Sequence, residues 1–188
     1  MQLKHIHFSV YAVLYILYSS VVTGVGPIIL YFSRVTGEDE TYFAFIFLAR
    51  GLGYLAGGQI IKVLTKKYKY YTLFVFEIVL VGASLLVSSF SFSFWNLFIS
   101  MFVCAACSCM LNILCNLCVF ELFAGPDQDY WLQMLNLFFG IGGLIGPFIV
   151  IIFEEYAFRA VGIVFFFIIL PFLFLRSPET HQDVKKFD

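Results

Sequence analysis

Residues 131–153 of the chain read WLQMLNLFFGIGGLIGPFIVIIF, and no residue in this stretch is charged. An α-helix needs about 20 mostly apolar residues to cross a hydrocarbon core of about 30 Å, so the stretch is long enough to span a bilayer. A surface helix of a soluble protein carries charged residues along one face, and this stretch carries none. It therefore predicts a membrane-spanning helix.

The rest of the chain has the same character. Hydrophobic residues make up 62% of the 188 residues, charged residues 12%, and the mean hydropathy is +0.96. A soluble domain is about 45–50% apolar and about 25% charged. The net charge of −1 gives no basic surface for nucleic acid. We therefore expect an all-α, polytopic membrane helical bundle that has the lipid bilayer as a partner, and not a soluble enzyme.

The apolar stretches predict about six transmembrane helices, separated by short polar breaks. We expect them at residues 8–33, 42–64, 72–92, 95–123, 131–153 and 159–176. The break near Ser91 to Trp95 has no charge, so five spans are the alternative. The chain then divides into a bundle over residues 1–176 and a polar C-terminal tail over residues 177–188.

The distribution of basic residues predicts the orientation, because cytosolic loops are enriched in Lys and Arg. Arg34 and Arg159 fall on one side of the predicted bundle. The other side carries Lys4, Lys62, Lys66, Lys67, Lys69, Arg176, Lys185 and Lys186. Both termini are thus expected on the positive side, which is the cytosol, or the matrix if the membrane is the mitochondrial inner membrane. A plasma or vesicular membrane is the alternative location.

Glycines spaced four residues apart occur in two of the predicted spans. Gly53 and Gly57 lie in the second span, and Gly142 and Gly146, followed by Pro147, lie in the fifth. Small residues at this spacing let neighbouring helix backbones approach closely. Helix packing is the plain interpretation, and gating of a substrate path is the alternative.

The first span carries a Gly-Pro pair and a row of tyrosines. Pro27, preceded by Gly26, removes one helix hydrogen bond, which predicts a bend or a loosened turn. Tyr11, Tyr15 and Tyr18 follow one face of the helix. Such a row usually packs inside a bundle, and stacking on a sugar ring is the alternative.

Four amides within spans are candidates for contact with a substrate or a partner. Asn112 and Asn116 are one turn apart in the fourth span, and Gln133 and Asn136 are three residues apart in the fifth. Polar side chains in lipid are costly unless they find a partner. The amides could bind a neutral polyol, since each has donors and an acceptor. Hydrogen bonding between helices is the equally weighted alternative.

Two charged residues fall inside predicted spans. Arg50 has apolar neighbours on both sides, so it needs a partner or a polar cavity, and we expect a functional or architectural role for it. Glu77 lies closer to the basic loop, and pairing with Lys69 or another neighbour near the interface accounts for it.

The cysteines have a spacing that resembles a metal site, but their place in one helix argues against one. Cys104, Cys107, Cys115 and Cys118 all lie in the fourth span, and one straight helix cannot surround an ion with four thiols. His5, His7 and His181 are assigned to the terminal tails. We expect no metal, no cofactor and no catalytic group.

Three regions of the sequence together resemble a known family. Gly26-Pro27 and residues 47–57, FLARGLGYLAG, resemble the first two helices of the major facilitator superfamily. The Asn112 and Asn116 pair, followed by residues 133–147, QMLNLFFGIGGLIGP, is similar to the fourth and fifth helices of its fucose permease-like and sodium-dependent glucose transporter-like branch. Residues 178–180, PET, resemble the start of its central loop.

The resemblance implies one half of a twelve-helix transporter, in which two related halves hold the substrate between them. Two departures concern its activity. No Asp or Glu lies between Thr41 and Phe76, where the family has an acid that latches its cytosolic gate, and Asn112 stands where this branch has an acid. Gating and ion coupling are therefore not implied.

A lone half has one wall of a substrate cavity, so its polar wall needs a cover. We expect a second membrane protein or a second copy of the chain to supply that cover. The first hypothesis is an accessory, structural subunit of a larger membrane complex. The second is an oligomeric half-transporter that moves a sugar-like solute.

Overall fold

The fold is an all-helical bundle, as the sequence predicts. The computed structural model describes residues 2–37, 39–90 and 93–174, which form six α-helices and one 3₁₀ turn. The helices are α1 (Gln2–Thr36), α2 (Glu40–Lys67), α3 (Tyr70–Phe90), α4 (Phe94–Leu122), α5 (Gln128–Phe153) and α6 (Ala157–Phe174), with the 3₁₀ turn at Glu154–Tyr156.

Six separate helices, and not five, occupy the described residues. The uncharged break is real, since α3 ends at Phe90 and α4 begins at Phe94. Helices α1 to α5 are long and apolar enough to cross a membrane, and the apolar part of α6, Ala157–Leu170, is shorter. The tail over residues 177–188, and with it His181 and the PET motif, lies outside the described residues.

The assignment of two histidines to the N-terminal tail is wrong. Helix α1 begins at Gln2, so His5 and His7 lie on the helix, and the side chain of His7 is buried. The helix starts early because its first turns have packing partners. The Phe8 ring lies 4.8 Å from the Trp131 ring of α5, centroid to centroid, and 5.9 Å from the ring of Phe123.

The helices pack in pairs. Helix α1 packs along α5, and α2 packs along α4, while α3 lies against both α4 and α6. Contacts between α1 and α2, between α1 and α4, and between α4 and α5 are sparse by comparison. The four helices α1, α2, α4 and α5 are therefore two close pairs that meet along a seam.

Glycines explain why these two pairs are so close. A methyl group on Gly53 or Gly57 would collide with the carbonyl oxygen of Phe102 or Ala106 on α4. In the same way, Gly142 and Gly146 leave no room for a methyl group against the α1 backbone. Side-chain-free backbone contact of this kind favours helix association in lipid, where burial of apolar surface gives no driving force.

The α3–α6 pair is held together by its own set of contacts. Gly82 and Gly162 face each other across this pair, and each leaves little space for a methyl group. At one end, Arg159 Nη2 donates to the Ser89 carbonyl oxygen at 3.0 Å, and the guanidinium lies 4.8 Å from the centroid of the Phe90 ring. These contacts hold the start of α6 to the end of α3.

The outer helices of the two pairs are the most exposed. Of the five long helices, α5 and α2 bury the smallest share of their side chains. Exposed apolar residues line both helices, among them Leu48, Leu52 and Leu55 on α2 and Leu137, Leu144 and Phe148 on α5.

Candidate functional site

A tyrosine and two amides form a hydrogen-bonded network where the two helix pairs meet. The hydroxyl of Tyr15 on α1 donates to Asn112 Oδ1 on α4 and accepts from Asn116 Nδ2. Asn116 Nδ2 also lies 2.8 Å from Asn112 Oδ1. The spacing of four residues puts both amides on one side of α4, and the row of tyrosines on α1 supplies the third member. The network thus connects α1 to α4 across the seam.

Aromatic rings enclose the tyrosine end of this network. Tyr15 and Tyr18 are each 1% exposed, and both rings pack against Phe139 of α5, with centroids 6.1 and 5.5 Å away. Asn112 and Asn116 are half-buried. The tyrosines are therefore packed inside the bundle, and the amides beside them are partly covered.

Arg50 lies on the second helix pair and contacts the first. Its Nη1 donates to the Val22 carbonyl oxygen of α1 at 3.2 Å, and the side chain is half-buried. Tyr54, one turn further along α2, is close enough to Tyr15 for an electrostatic interaction. Arg50 therefore contacts α1 from α2, across the same seam as the network of Tyr15.

The other two amides are on a different surface. Gln133 and Asn136 of α5 are both exposed, and neither forms a hydrogen bond with another described residue. Asn136 lies eight residues after α5 begins, or about 12 Å along the helix. The structure therefore splits the four predicted amides into an internal pair on α4 and an outward pair on α5.

The Gly26-Pro27 pair occupies a third environment. Helix α1 continues through Pro27, and a methyl group on Gly26 would meet no atom within 4 Å. Pro147 likewise lies inside α5 and does not end it. Neither proline ends its helix, although each removes one backbone hydrogen bond and its ring crowds the carbonyl four residues earlier.

This arrangement has a clear chemical character. The atoms of Asn112 and Asn116 that contact Tyr15 are hydrogen-bonded within the protein, so the network holds α1 to α4. The outward pair on α5 presents free amide donors and acceptors. A hydrogen bond from such a group to a polar partner in a membrane contributes about 0.6–2 kcal/mol.

Sequence reasoning named Glu77 but assigned it to the interface, paired with a neighbour. Glu77 of α3 is 0% exposed, and neither of its oxygens has a hydrogen-bond partner among the described residues. The prediction that Glu77 pairs with Lys69 or another neighbour near the interface is therefore wrong. Its place in an otherwise apolar helix was visible in the sequence, but its direction into the bundle was not.

Three cysteines of α4 lie close enough to Glu77 for an electrostatic interaction: Cys107, Cys109 and Cys115. All five, Cys104, Cys107, Cys109, Cys115 and Cys118, are buried and free. Within the described ranges, no group of three or more His, Cys, Asp or Glu residues could hold a metal ion.

Comparison with known proteins identifies the class of this bundle. The family model of the Major Facilitator Superfamily matches residues 11–188, which is nearly the whole chain. A search of curated proteins finds no match to the chain.

Proposed function

Because the chain belongs to the major facilitator superfamily, we propose that this transporter-like membrane protein serves as a structural, accessory subunit of a larger membrane complex. In this role, α5 packs against another membrane protein. Members of the family are transporters and not enzymes, so the role proposed for this chain is structural.

The outward amides of α5 are the observation that carries the proposal. Gln133 and Asn136 are exposed on a helix long and apolar enough to span a membrane. Amides that face acyl chains lose their hydrogen bonds to water without replacement, which costs free energy. A protein partner that bonds to them removes this cost, and the apolar residues around them, such as Leu137, give it a surface to pack on.

The internal network supports a structural role in a second way. Tyr15, Asn112 and Asn116 bond to one another, so these groups stabilise the bundle without a ligand. Arg50 bonds to a backbone carbonyl of the neighbouring helix. The Tyr15 hydroxyl, Asn112 Oδ1 and Asn116 Nδ2 are thus engaged within the bundle.

A native gel tests the proposal. The untagged chain, extracted from its own membrane in a mild detergent, should migrate with a complex much larger than a dimer. Migration as a dimer or monomer after extraction would contradict the accessory role.

A matched pair of photoreactive probes tests the surface itself. A photoreactive amino acid in place of Leu137 on α5 should crosslink to protein, whereas the same probe in place of Phe167 on α6 should crosslink mainly to lipid. These two positions are 55% and 64% exposed, so exposure alone does not distinguish them. Equal protein crosslinking at both would remove α5 as the preferred surface.

An oligomeric half-transporter for a sugar-like solute is the second candidate. The half-buried amides at the seam beside Tyr15 favour it, together with the resemblance to the fucose permease-like branch. Purified chain in liposomes should then take up a hexose, and Asn116→Ala should abolish that uptake. No uptake of any hexose would exclude this candidate.

We also propose that both termini face the positive side of the membrane, as the distribution of Lys and Arg predicts. The membrane itself is the mitochondrial inner membrane under the accessory-subunit proposal, with a plasma or vesicular membrane as the alternative. Fractionation of the source cell decides between them.

A further inference from the structure

A groove lies between the end of α2 and the start of α3. Its cavity has a volume of about 310 Å³ and is lined by Leu64, Tyr68, Thr72, Leu73 and Phe76. The wall is mostly apolar, with the hydroxyls of Tyr68 and Thr72 as its polar groups. Tyr68, Thr72 and Phe76 are exposed, so the groove opens outward.

The packing of the two helices explains why this gap stays open. Only Tyr68 and Lys69 separate α2 from α3, so the helices are joined at this end. They nevertheless make few contacts with each other, because α2 packs along α4 while α3 lies against α4 and α6. Two helices that are joined at one end but packed on different neighbours leave a space between them.

The groove reaches from the end of the bundle to the level of the acyl chains. Thr72 and Phe76 lie two and six residues after α3 begins, or about 3 and 9 Å along a helix long enough to span a membrane. At that depth the surroundings of an outward-facing groove are lipid. An acyl chain therefore fits both the shape and the apolar wall of the groove.

The mouth of the groove is basic. Lys66 and Lys67 lie in the last turn of α2, Lys69 lies in the connection, and all three are exposed. No Asp or Glu occurs between Thr41 and Phe76. A group bound at this mouth is therefore expected to be negatively charged.

The two acids closest to this region are directed into the bundle. Glu77 follows Phe76 but is 0% exposed. Glu121 of α4 interacts with Tyr11 and Tyr70, and both tyrosines are buried. Neither acid replaces an anion at the mouth of the groove.

Helical geometry places one of the lysines over the groove. Lys67 follows Leu64 by three residues and shares its face of α2, whereas Lys66 follows by two and lies on the opposite side. Basic residues in a last turn also interact favourably with the carboxyl end of the helix, and this effect applies to both lysines alike. The position over the groove distinguishes Lys67.

We propose that this groove binds an anionic phospholipid of the positive-side leaflet, with the phosphate at Lys67 and an acyl chain between α2 and α3. Basic pockets between transmembrane helices on the cytoplasmic or matrix side are suited to acidic headgroups. The site does not involve α5, so its failure would leave the accessory role intact, and failure of the accessory role would leave this site intact.

Photoactivatable lipids test the site on the unmutated chain in nanodiscs. Phosphatidylglycerol and phosphatidylcholine with the same photoreactive acyl chain are compared, and adducts are located by mass spectrometry. Phosphatidylglycerol should label residues 64–76 several-fold more than phosphatidylcholine does, while both should label Leu144 of α5, which is 71% exposed, alike. Equal labelling of residues 64–76 by the two lipids would overturn the proposal.

An excess of free glycerol phosphate distinguishes a lipid from a soluble anion. It should not reduce the labelling of residues 64–76, because it has the phosphate but no acyl chain. Displacement of the lipid by glycerol phosphate would mean that the site binds a soluble phosphate, and would refute the role of the chain.

A pair of lysine variants tests the headgroup contact. Lys67→Gln should reduce labelling by phosphatidylglycerol about fivefold, as expected for one basic residue near an anionic lipid, and Lys67→Arg should retain it. Lys66→Gln removes the same charge from the same turn and should change the labelling much less. Equal losses in Lys67→Gln and Lys66→Gln would mean diffuse attraction to the surface and no site.

A bulky residue tests the position of the acyl chain. Thr72→Trp fills the groove without a change of charge and should reduce the labelling of residues 64–76, whereas Val87→Trp, at a 51% exposed position further along α3, should not. In the native membrane, a photoreactive residue in place of Phe76 should crosslink to lipid. Crosslinking of that residue to protein would show a different occupant and overturn the proposal.

Discussion

At the residue scale, the molecule shows how polar side chains are accommodated in apolar helices. Asn112 and Asn116 bond to each other and to a tyrosine from another helix, whereas neither oxygen of Glu77 has a hydrogen-bond partner among the described residues. The first arrangement needs no outside partner. The second leaves a buried polar group without a hydrogen bond, which costs free energy.

Tyr15→Phe should weaken the connection between α1 and α4. The variant keeps the ring against Phe139 but removes the hydroxyl that contacts both amides. A hydrogen bond between membrane helices contributes about 0.6–2 kcal/mol, so the free energy of unfolding in detergent should fall by about that amount. Tyr130→Phe, at an exposed position, is the control and should have no effect.

A double-mutant cycle identifies the pair responsible. Asn116→Ala should cost less in the Tyr15→Phe background than in the native chain, because the shared hydrogen bond is already lost. Costs that simply add would mean that the two side chains do not interact.

Part of this network could be predicted from the sequence and part could not. The spacing of Asn112 and Asn116 fixes their common face, since four residues make about one helical turn. That Tyr15 would meet them depends on how α1 and α4 cross. The burial of Glu77 could not be predicted from the sequence either, because a residue near the start of a helix can face either the bundle or the interface.

At the scale of elements, glycines set the distances between helices. The two motifs with four-residue spacing lie where α2 meets α4 and where α5 meets α1. Ser20 of α1 adds a polar contact to the second pair, since its Oγ lies 3.0 Å from the Gly142 carbonyl oxygen. The facing glycines Gly82 and Gly162 form no motif within one helix, so the α3–α6 contact could not be predicted from the pattern of glycines.

Gly142→Ala and Gly140→Ala should have opposite effects on stability. A methyl group on Gly142 would collide with the Ile16 carbonyl, whereas one on Gly140 would meet nothing within 4 Å. Overpacking costs about 1–3 kcal/mol. Replacement of an unconstrained helical glycine by alanine gains about 1 kcal/mol.

Thermal unfolding in one detergent, followed by circular dichroism, measures both variants. The same sign of change for the two glycines would mean that backbone contact does not hold α1 against α5.

At the scale of the whole molecule, hydropathy predicted the order of the helices but left their number at five or six, because the break between α3 and α4 carries no charge. The charged and polar breaks separate apolar stretches long enough to span a bilayer, and that length requirement is set by the bilayer itself. Hydropathy says nothing about which helix packs on which. The pairing of α1 with α5 and of α2 with α4 therefore had to come from the structure.

Accessibility to a membrane-impermeant thiol reagent should follow the predicted orientation. Val35 at the end of α1 and Tyr68 at the end of α2 are 51% and 50% exposed. In sealed vesicles, Tyr68→Cys should be labelled from the positive side and Val35→Cys only from the opposite side, because one helix crosses the membrane between them. The native cysteines are buried and should give a low background. Labelling of both from one side would mean that α2 does not cross.

Where two backbones touch through glycine, no layer of side chains lies between them that could rearrange. The α1–α5 and α2–α4 pairs should therefore each move as one rigid unit. The sparse contacts between the two pairs depend largely on a few hydrogen bonds, those of Tyr15 and Arg50 among them. The conformational change of lowest cost in this bundle would therefore be a sliding of one helix pair along the other. A partner bound to α5 would restrain α1 as well.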